Sequence, residues 1–184
     1  FCVIHNAVDR GKYKYSVQKR EEIRGSMGIT DQFVIGHVGN FCYQKNHYFL
    51  LDVFEEVHKK DPNTVLLLAG DGVRFEKVRQ IVAEKNLEDV VKLLGRRSDT
   101  DYLYQGMDAF LLPSNFEGLP IAGIEAQSAG LPCFMSDEIT KESKITEACY
   151  FIPLKSGAKY WAEEILDNKI ERQSAEFLDN AEQY

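Results

Sequence analysis

The chain is short of positive charge. Lysine and arginine number 22 against 29 aspartates and glutamates, for a formal net charge of −7 and a pI near 5.2. Nucleic-acid binding wants a basic face, so this balance argues against such a partner, and any anionic ligand has to be held by a local site. Cysteine is sparse too: Cys2, Cys42, Cys133 and Cys149 lie far apart with no Cys-x-x-Cys pair, which reads as free thiols in a reducing compartment. No apolar run approaches the ~18–20 residues that a membrane-spanning helix needs. No leader-like segment is visible and the first residue is Phe1, not Met, so Phe1-Cys2-Val3-Ile4 reads as the continuation of something upstream. No Gly-x-Gly-x-x-Gly follows any strand-like run, which counts against a dehydrogenase. His5, His47 and His58 show no triad spacing with Ser or Asp, and His37, inside an apolar run, reads as a buried histidine. Internal repeats and low-complexity segments are absent.

What is present is a core-forming chain of 184 residues, 44% hydrophobic and 11% aromatic, enough for one large domain. Phe33 to Val38 is a β-rich apolar run closed by Gly39, the pattern of a buried parallel strand. Asn46 to Lys60 carries an apolar stripe at helical spacing and is stopped by Asp61-Pro62-Asn63. The alternation continues with strands at Thr64–Ala69, Val90–Leu94, Ala109–Leu112, Cys133–Met135 and Tyr150–Ile152. Helices are predicted around Phe75 to Val82, over Thr100–Met107, after Pro120, and from Ala158 to Tyr184. Strands alternating with helices predict an α/β, Rossmann-like parallel sheet flanked by helices, with ligands at the carboxyl ends of the strands. Residues 1–30 are polar and basic from Asp9 to Met27 and read as a connector; residues 31–184 form the domain.

The most informative stretch is Ser114 to Pro132. An apolar strand feeds a glycine-containing loop that opens a helix, with Glu117 before the helix and Glu125 inside it. A helix start offers unpaired backbone N–H groups to an anion. Two acids beside a phosphate site make sense if they grip neutral hydroxyls, such as those of a ribose and a sugar. The combination points to a nucleotide-sugar site.

From Val3-Ile4-His5-Asn6-Ala7-Val8-Asp9 onward, over essentially the whole length, the sequence resembles the carboxyl-terminal half of a retaining glycosyltransferase of GT-B architecture. It is most similar to the group 1 enzymes of family 4 that build capsular or exopolysaccharide. Three ordered signals carry the resemblance: Gly39-x5-Lys45, the Leu94-Gly95-Arg96 turn, and Glu117-x7-Glu125 around Glu-Gly-Leu-Pro. It implies half of a GT-B fold, with residues 1–30 as the linker from a missing amino-terminal acceptor domain and 31–184 as the donor-binding domain.

By that resemblance, Glu125 accepts from the ribose hydroxyls, while Glu117 contacts the donor sugar and supports charge at its anomeric carbon. Gly118 and Leu119 offer amides to the terminal phosphate, and Lys45 meets the diphosphate. Gly39 and Asn40 border that site, and Gly95 and Arg96 lie by the nucleobase. The family usually has arginine after the glycine, where this chain has Asn40, which carries no charge and cannot fork to phosphate. The implied partners are a nucleotide sugar, UDP-linked, and a saccharide or lipid-linked acceptor, with no metal cofactor and no transmembrane segment. The implied placement is cytoplasmic, peripheral to the inner membrane face through the missing domain. Asp99-Thr100-Asp101 has the look of a metal motif, but Ser98 and Asp99 open a short helix and read as its caps. Two rival functions stay open: a UDP-sugar 2-epimerase of the same architecture, and a degenerate nucleotide-binding or assembly domain.

Overall fold

Along Thr64–Ala69 every residue is apolar or buried, yet successive side chains leave on opposite faces: Leu66 and Leu68 to one side, Val65, Leu67 and Ala69 to the other. Both faces therefore need covering, which an α/β layering supplies. The computed structural model describes residues 10–170. In order these carry α1 (Arg10–Tyr13), α2 (Val17–Ser26), β1 (Phe33–Val38), α3 (His47–Lys60), β2 (Thr64–Ala69), α4 (Phe75–Glu84) and β3 (Val91–Gly95). There follow α5 (Thr100–Gly106), β4 (Ala109–Leu112), α6 (Ile121–Ser128), β5 (Cys133–Ser136), β6 (Cys149–Ile152) and α7 (Gly157–Asp167). The six strands form one parallel sheet in the order β3-β2-β1-β4-β5-β6.

One face packs against α3, α4 and α7 through Leu50, Phe54, Val57, Val82, Trp161 and Ile165, with Ile35, Leu66, Leu68 and Phe134 from the strands. The other face, with Val34, Leu67, Phe110, Leu112 and Met135, is covered by Tyr13, Ile23, Leu103, Tyr104 and Ala126 of the remaining helices. The strand order reverses at β1, whose two neighbours are β2 and β4. β1 leads to α3 on one face and β4 leads to α6 on the other, the arrangement that in open α/β sheets sets a crevice at the carboxyl ends of the strands.

The polar stretch before β1 folds onto the domain. Ser16 caps α2, accepting from Lys19 N at 3.3 Å. α2 then docks through arginines where an apolar stripe would serve elsewhere. Arg24, 6% exposed, donates to the carbonyls of Gly106, Thr30 and Gln32 and to Asp108 Oδ2. Arg20 holds the other oxygen of Asp108 at 2.5 Å, and Asp108 also accepts from Val34 N. This knot ties α2 to the entries of β1 and β4.

Three expectations need correction. The tail is helical only to Asp167 and then leaves the helix, with residues 171–184 outside the described range, as are Phe1 to Asp9. Asp99 sits at the start of α5 but its side chain caps nothing; its carboxylate is taken by Arg97 instead, at 2.8 and 2.5 Å. Asn46 is the residue before α3, in a left-handed conformation with φ 54°, and the helix proper begins at His47. Cys42, Cys133 and Cys149 are free thiols.

Without Arg24, Asp108 keeps Arg20, but the carbonyls of Gly106, Thr30 and Gln32 lose their charged donor, each at a cost of roughly 1–3 kcal/mol. Arg24→Met is therefore expected to lower the melting temperature sharply by circular dichroism. Lys59→Met, which touches only an exposed pair, should shift it hardly at all. Equal shifts would remove the knot from the account. A second expectation concerns pH. Burial first, then the charges of Lys45 and Arg74, bring His47 down to about 4, and burial holds buried His37 well below the usual range. The unfolded chain takes up these protons first, near pH 6.5, so stability is full above that and is lost as pH falls toward about 4. His47 alone accounts for about 3 kcal/mol of that loss. Melting temperatures between pH 7.5 and 4.5 should fall less steeply for His47→Phe; an unchanged slope would contradict this.

Candidate functional site

The loops leaving β1 and β4 meet over the crevice. Asn115 bridges them, its N–H donating to Gln44 O at 2.8 Å and its side-chain amide to Tyr43 O at 2.7 Å. Between them Lys45 Nζ lies 2.5 Å from Glu117 Oε1, with side chains only 15% and 8% exposed. Gln44 donates to the other oxygen of Glu117 at 3.0 Å, and Ser114 Oγ donates to Oε1 at 3.0 Å. The backbone of Glu117 is pinned by a parallel bridge to Ile139. A nearly buried carboxylate with a lysine, an amide and a hydroxyl around it is fixed and fully partnered before any ligand arrives.

Behind Lys45 lies an unusual polar interior. His37 Nδ1 donates to Leu111 O at 2.8 Å, the carbonyl being able only to accept, which leaves Nε2 as an acceptor with no hydrogen-bond partner among the described residues. Both ring nitrogens of His47 are likewise buried and without a partner among the described residues. The His47 ring meets His37 edge-on at 4.8 Å and stacks on Phe41 at 4.0 Å. A Cβ on Gly39 would come within 3.0 Å of His37 Nε2 and 3.1 Å of Lys45 Cε, so the glycine lets the loop close down on this cluster.

Beside it, toward β2 and β3, opens a cavity of about 660 Å³ lined by Gly39, Asn40, Phe41, Gly70, Asp71 and Arg96 among others. Its floor depends on close backbone approach. Gly70 has φ +144°, and a Cβ there would sit 1.9 Å from Gly39 O, so only glycine fits. Gly39 N donates to Ala69 O, Phe41 N to Asp71 O and Gly70 N to Gly95 O, which stitches the three strand ends together. Gly95 turns in the left-handed region at φ 63°. Of the two arginines in the lining, Arg97 is committed to Asp99, whereas Arg96 is exposed and has no acidic partner among the described residues.

Gly118 and Leu119 lead into α6, with Pro120 at its N-cap position. A Cβ on Gly118 would meet no protein atom within 4 Å, so packing alone does not require the glycine. Glu125, in the second turn of α6, faces α1 and α5. Its Oε1 accepts from Tyr13 at 2.5 Å and its Oε2 from Tyr104 at 2.9 Å.

The structure thus brings Lys45 against Glu117, and Gly39, Asn40 and Arg96 onto one cavity; Glu125 keeps a separate set of partners. Sequence reading missed Gln44, Ser114, Tyr13, Tyr104 and the histidine cluster. Gln44 and Ser114 are close in sequence to Lys45 and Glu117, which is a weak signal. Tyr13 is 112 residues from Glu125, and nothing local announces it.

The family profile described as Glycosyl transferases group 1 matches residues 19–181. A Bacillus subtilis (strain 168) protein named as a glycosyltransferase, EpsF, is 35% identical over 141 residues, 76% of this chain and 37% of its own length. A UDP-Gal:alpha-D-GlcNAc-diphosphoundecaprenol alpha-1,3-galactosyltransferase from Escherichia coli is 32% identical over 139 residues, 73% of this chain and 36% of its own length. The chain therefore spans about a third of the length of these curated relatives. Anabaena Alr3699/HepE, solved with UDP and glucose, superimposes with a TM-score of 0.80 over 98% of this chain and 50% of that one, at 21% identity. The carboxyl-terminal domain of a group 1 glycosyl transferase from Francisella tularensis does so with a TM-score of 0.75 at 18% identity, covering 88% of this chain and 89% of that one. Among the described residues, no helix is long and apolar enough to cross a membrane. The chain belongs to the group 1 glycosyl transferases and has the fold of their carboxyl-terminal GT-B domain.

Proposed function

We propose that this chain is the donor-binding half of a retaining, metal-independent glycosyltransferase that transfers a sugar from a UDP-sugar to a saccharide or lipid-linked acceptor in polysaccharide biosynthesis. Cytoplasmic placement against the inner membrane face belongs to the same reading. The observation that carries it is the Lys45–Glu117 pair at the strand-order reversal, beside a cavity floored by glycines. The name of the E. coli relative, which couples a UDP-galactose donor to an undecaprenol-linked acceptor, supports the donor and acceptor classes.

In this reading the nucleobase enters the cavity near Gly95 and Arg96, and the ribose reaches Glu125. The diphosphate takes Lys45 and the amides of Gly118 and Leu119. A phosphate arriving at Lys45 replaces Glu117 as its anionic partner and releases that carboxylate toward the sugar hydroxyls and the anomeric carbon. Lys45 then meets negative charge that grows as the diphosphate leaves, the kind of preorganised contact that lowers a barrier most. No covalent protein intermediate is required, and the chemistry waits for an acceptor brought by the rest of the enzyme. Asn40 removes a charge-assisted phosphate contact worth ~2–4 kcal/mol, about 30- to 1,000-fold in rate. That exposed, uncharged residue on the cavity wall favours a second reading, a nucleotide-binding domain of weak or lost activity.

Titration calorimetry separates the readings. UDP is expected to bind the folded chain, Glu125→Ala to weaken it at least about tenfold, a charged hydrogen bond being worth roughly 1.5–3 kcal/mol, and Asp101→Ala to leave it unchanged. No heat at millimolar UDP would favour the second reading, and equal effects of the two substitutions would undo the site assignment. In the protein with its acceptor domain, Glu117→Gln should lower kcat by about 10²- to 10³-fold, as loss of an aimed electrostatic contact does. The 184-residue chain alone should give no steady sugar transfer when product is followed by chromatography, and turnover by it would overturn the two-domain view.

A further inference from the structure

Glu125 is gripped from two sides by residues to which the reaction described above gives no part. The Tyr13 hydroxyl, from α1, donates to one carboxylate oxygen and the Tyr104 hydroxyl, from α5, to the other. Both rings are buried, 5% and 0% exposed, and stand 5.9 Å apart, tilted by 59°. Tyr104 is further braced edge-on against Phe110 of β4 at 5.8 Å. Burial raises the pKa of both phenols, with the Glu125 carboxylate adding to the effect, so each stays a donor throughout the working pH range. An ionised carboxylate offers about four acceptor directions, and these two hydroxyls take one from each oxygen. Among the described residues no other donor meets either oxygen, and the two tyrosines fix the plane of the carboxylate.

The Tyr104 hydroxyl also lies 3.3 Å from Ala122 O of α6, while the far end of α6 is held independently by Gln127, which donates to Ser143 O and accepts from the backbone N–H groups of Ile145 and Thr146. An otherwise flexible glutamate with one donor per oxygen is what a site needs in order to meet two adjacent hydroxyls at once.

We propose that Tyr13 and Tyr104 are positioning residues for Glu125, setting its carboxylate to receive the vicinal diol of a nucleotide ribose. This rests on the reading of Glu125 as the ribose partner. It also makes α1, which precedes the sheet in sequence, a part of the donor site.

The test compares UDP with 2′,3′-dideoxy-UDP by calorimetry on the chain and on its Tyr13→Phe, Tyr104→Phe and doubly substituted forms. Phenylalanine keeps the ring packing and removes only the hydroxyl. The unsubstituted chain should prefer UDP by at least about tenfold, as loss of charge-assisted hydrogen bonds implies. Each substitution should shrink that preference about threefold to tenfold and the double change should nearly abolish it, with dideoxy-UDP affinity unmoved and circular dichroism showing every variant folded. A preference that survives both substitutions, or losses equal for the two ligands, overturns the positioning role and leaves the ribose assignment standing. Tighter UDP binding by Tyr13→Phe would show that hydroxyl competing with the ribose, and overturns it as well. Absence of any preference in the unsubstituted chain removes the ribose assignment and the proposal together.

Discussion

The structure turns on the reversal of strand order at β1. β1 and β4 are parallel neighbours, paired at Ile35–Ala109 and Gly36–Phe110, but their following helices go to opposite faces of the sheet. In open α/β sheets this is the point where loops leave their backbone groups and side chains for a ligand. The Lys45–Glu117 pair spans that divergence, with Asn115 stitching the loop backbones beside it. Four other candidate residues follow from this geometry. Gly39 and Asn40 lie on the way from β1 to Lys45, and Gly118 and Leu119 on the way from Glu117 to α6.

Around the crevice the chain tolerates polar groups in its interior to an unusual degree. His37 and His47 are kept neutral by burial, and among the described residues three of their ring nitrogens have no partner. On the opposite side Arg20 and Arg24 surround Asp108 and a set of carbonyls. Glu125 takes one hydroxyl on each oxygen from two buried tyrosines. Buried polar groups cost free energy unless satisfied, so the arginine knot and the tyrosine pair stabilise by completing each other's hydrogen bonds. The histidines do the opposite, and their burial is a standing cost at the floor of the candidate site. Strain of that kind tends to collect where a fold is shaped by something other than packing.

The layers were legible in the sequence because a parallel sheet buried on both faces writes itself as short continuous apolar runs. Thr64–Ala69 and Ala109–Leu112 coincide with β2 and β4, and the helical stripe before Asp61-Pro62 ends at Lys60. The polar stretch Asp9 to Met27 carried no sign of how α2 docks, for a physical reason. α2 docks by arginine hydrogen bonds to carbonyls, and a hydrophobic period cannot report that kind of contact. Asp99 did mislead: its neighbour Arg97 offers a charged, bidentate partner, which wins over a weaker cap on an exposed helix start.

The sequence by itself determined the repeated strand-and-helix alternation and the glycine turns that close the strands. It also placed Lys45 and Glu117 at the ends of two strands, since these are local properties of spacing and residue type. Tertiary structure alone decided which strands stand side by side, that Lys45 faces Glu117 across 72 positions, and that Tyr13 reaches Glu125 across 112. Such contacts arise from the crossing of helices over a twisted sheet. A side chain's partner across that distance is set by the sum of many packing choices and leaves no mark on its neighbours in the chain.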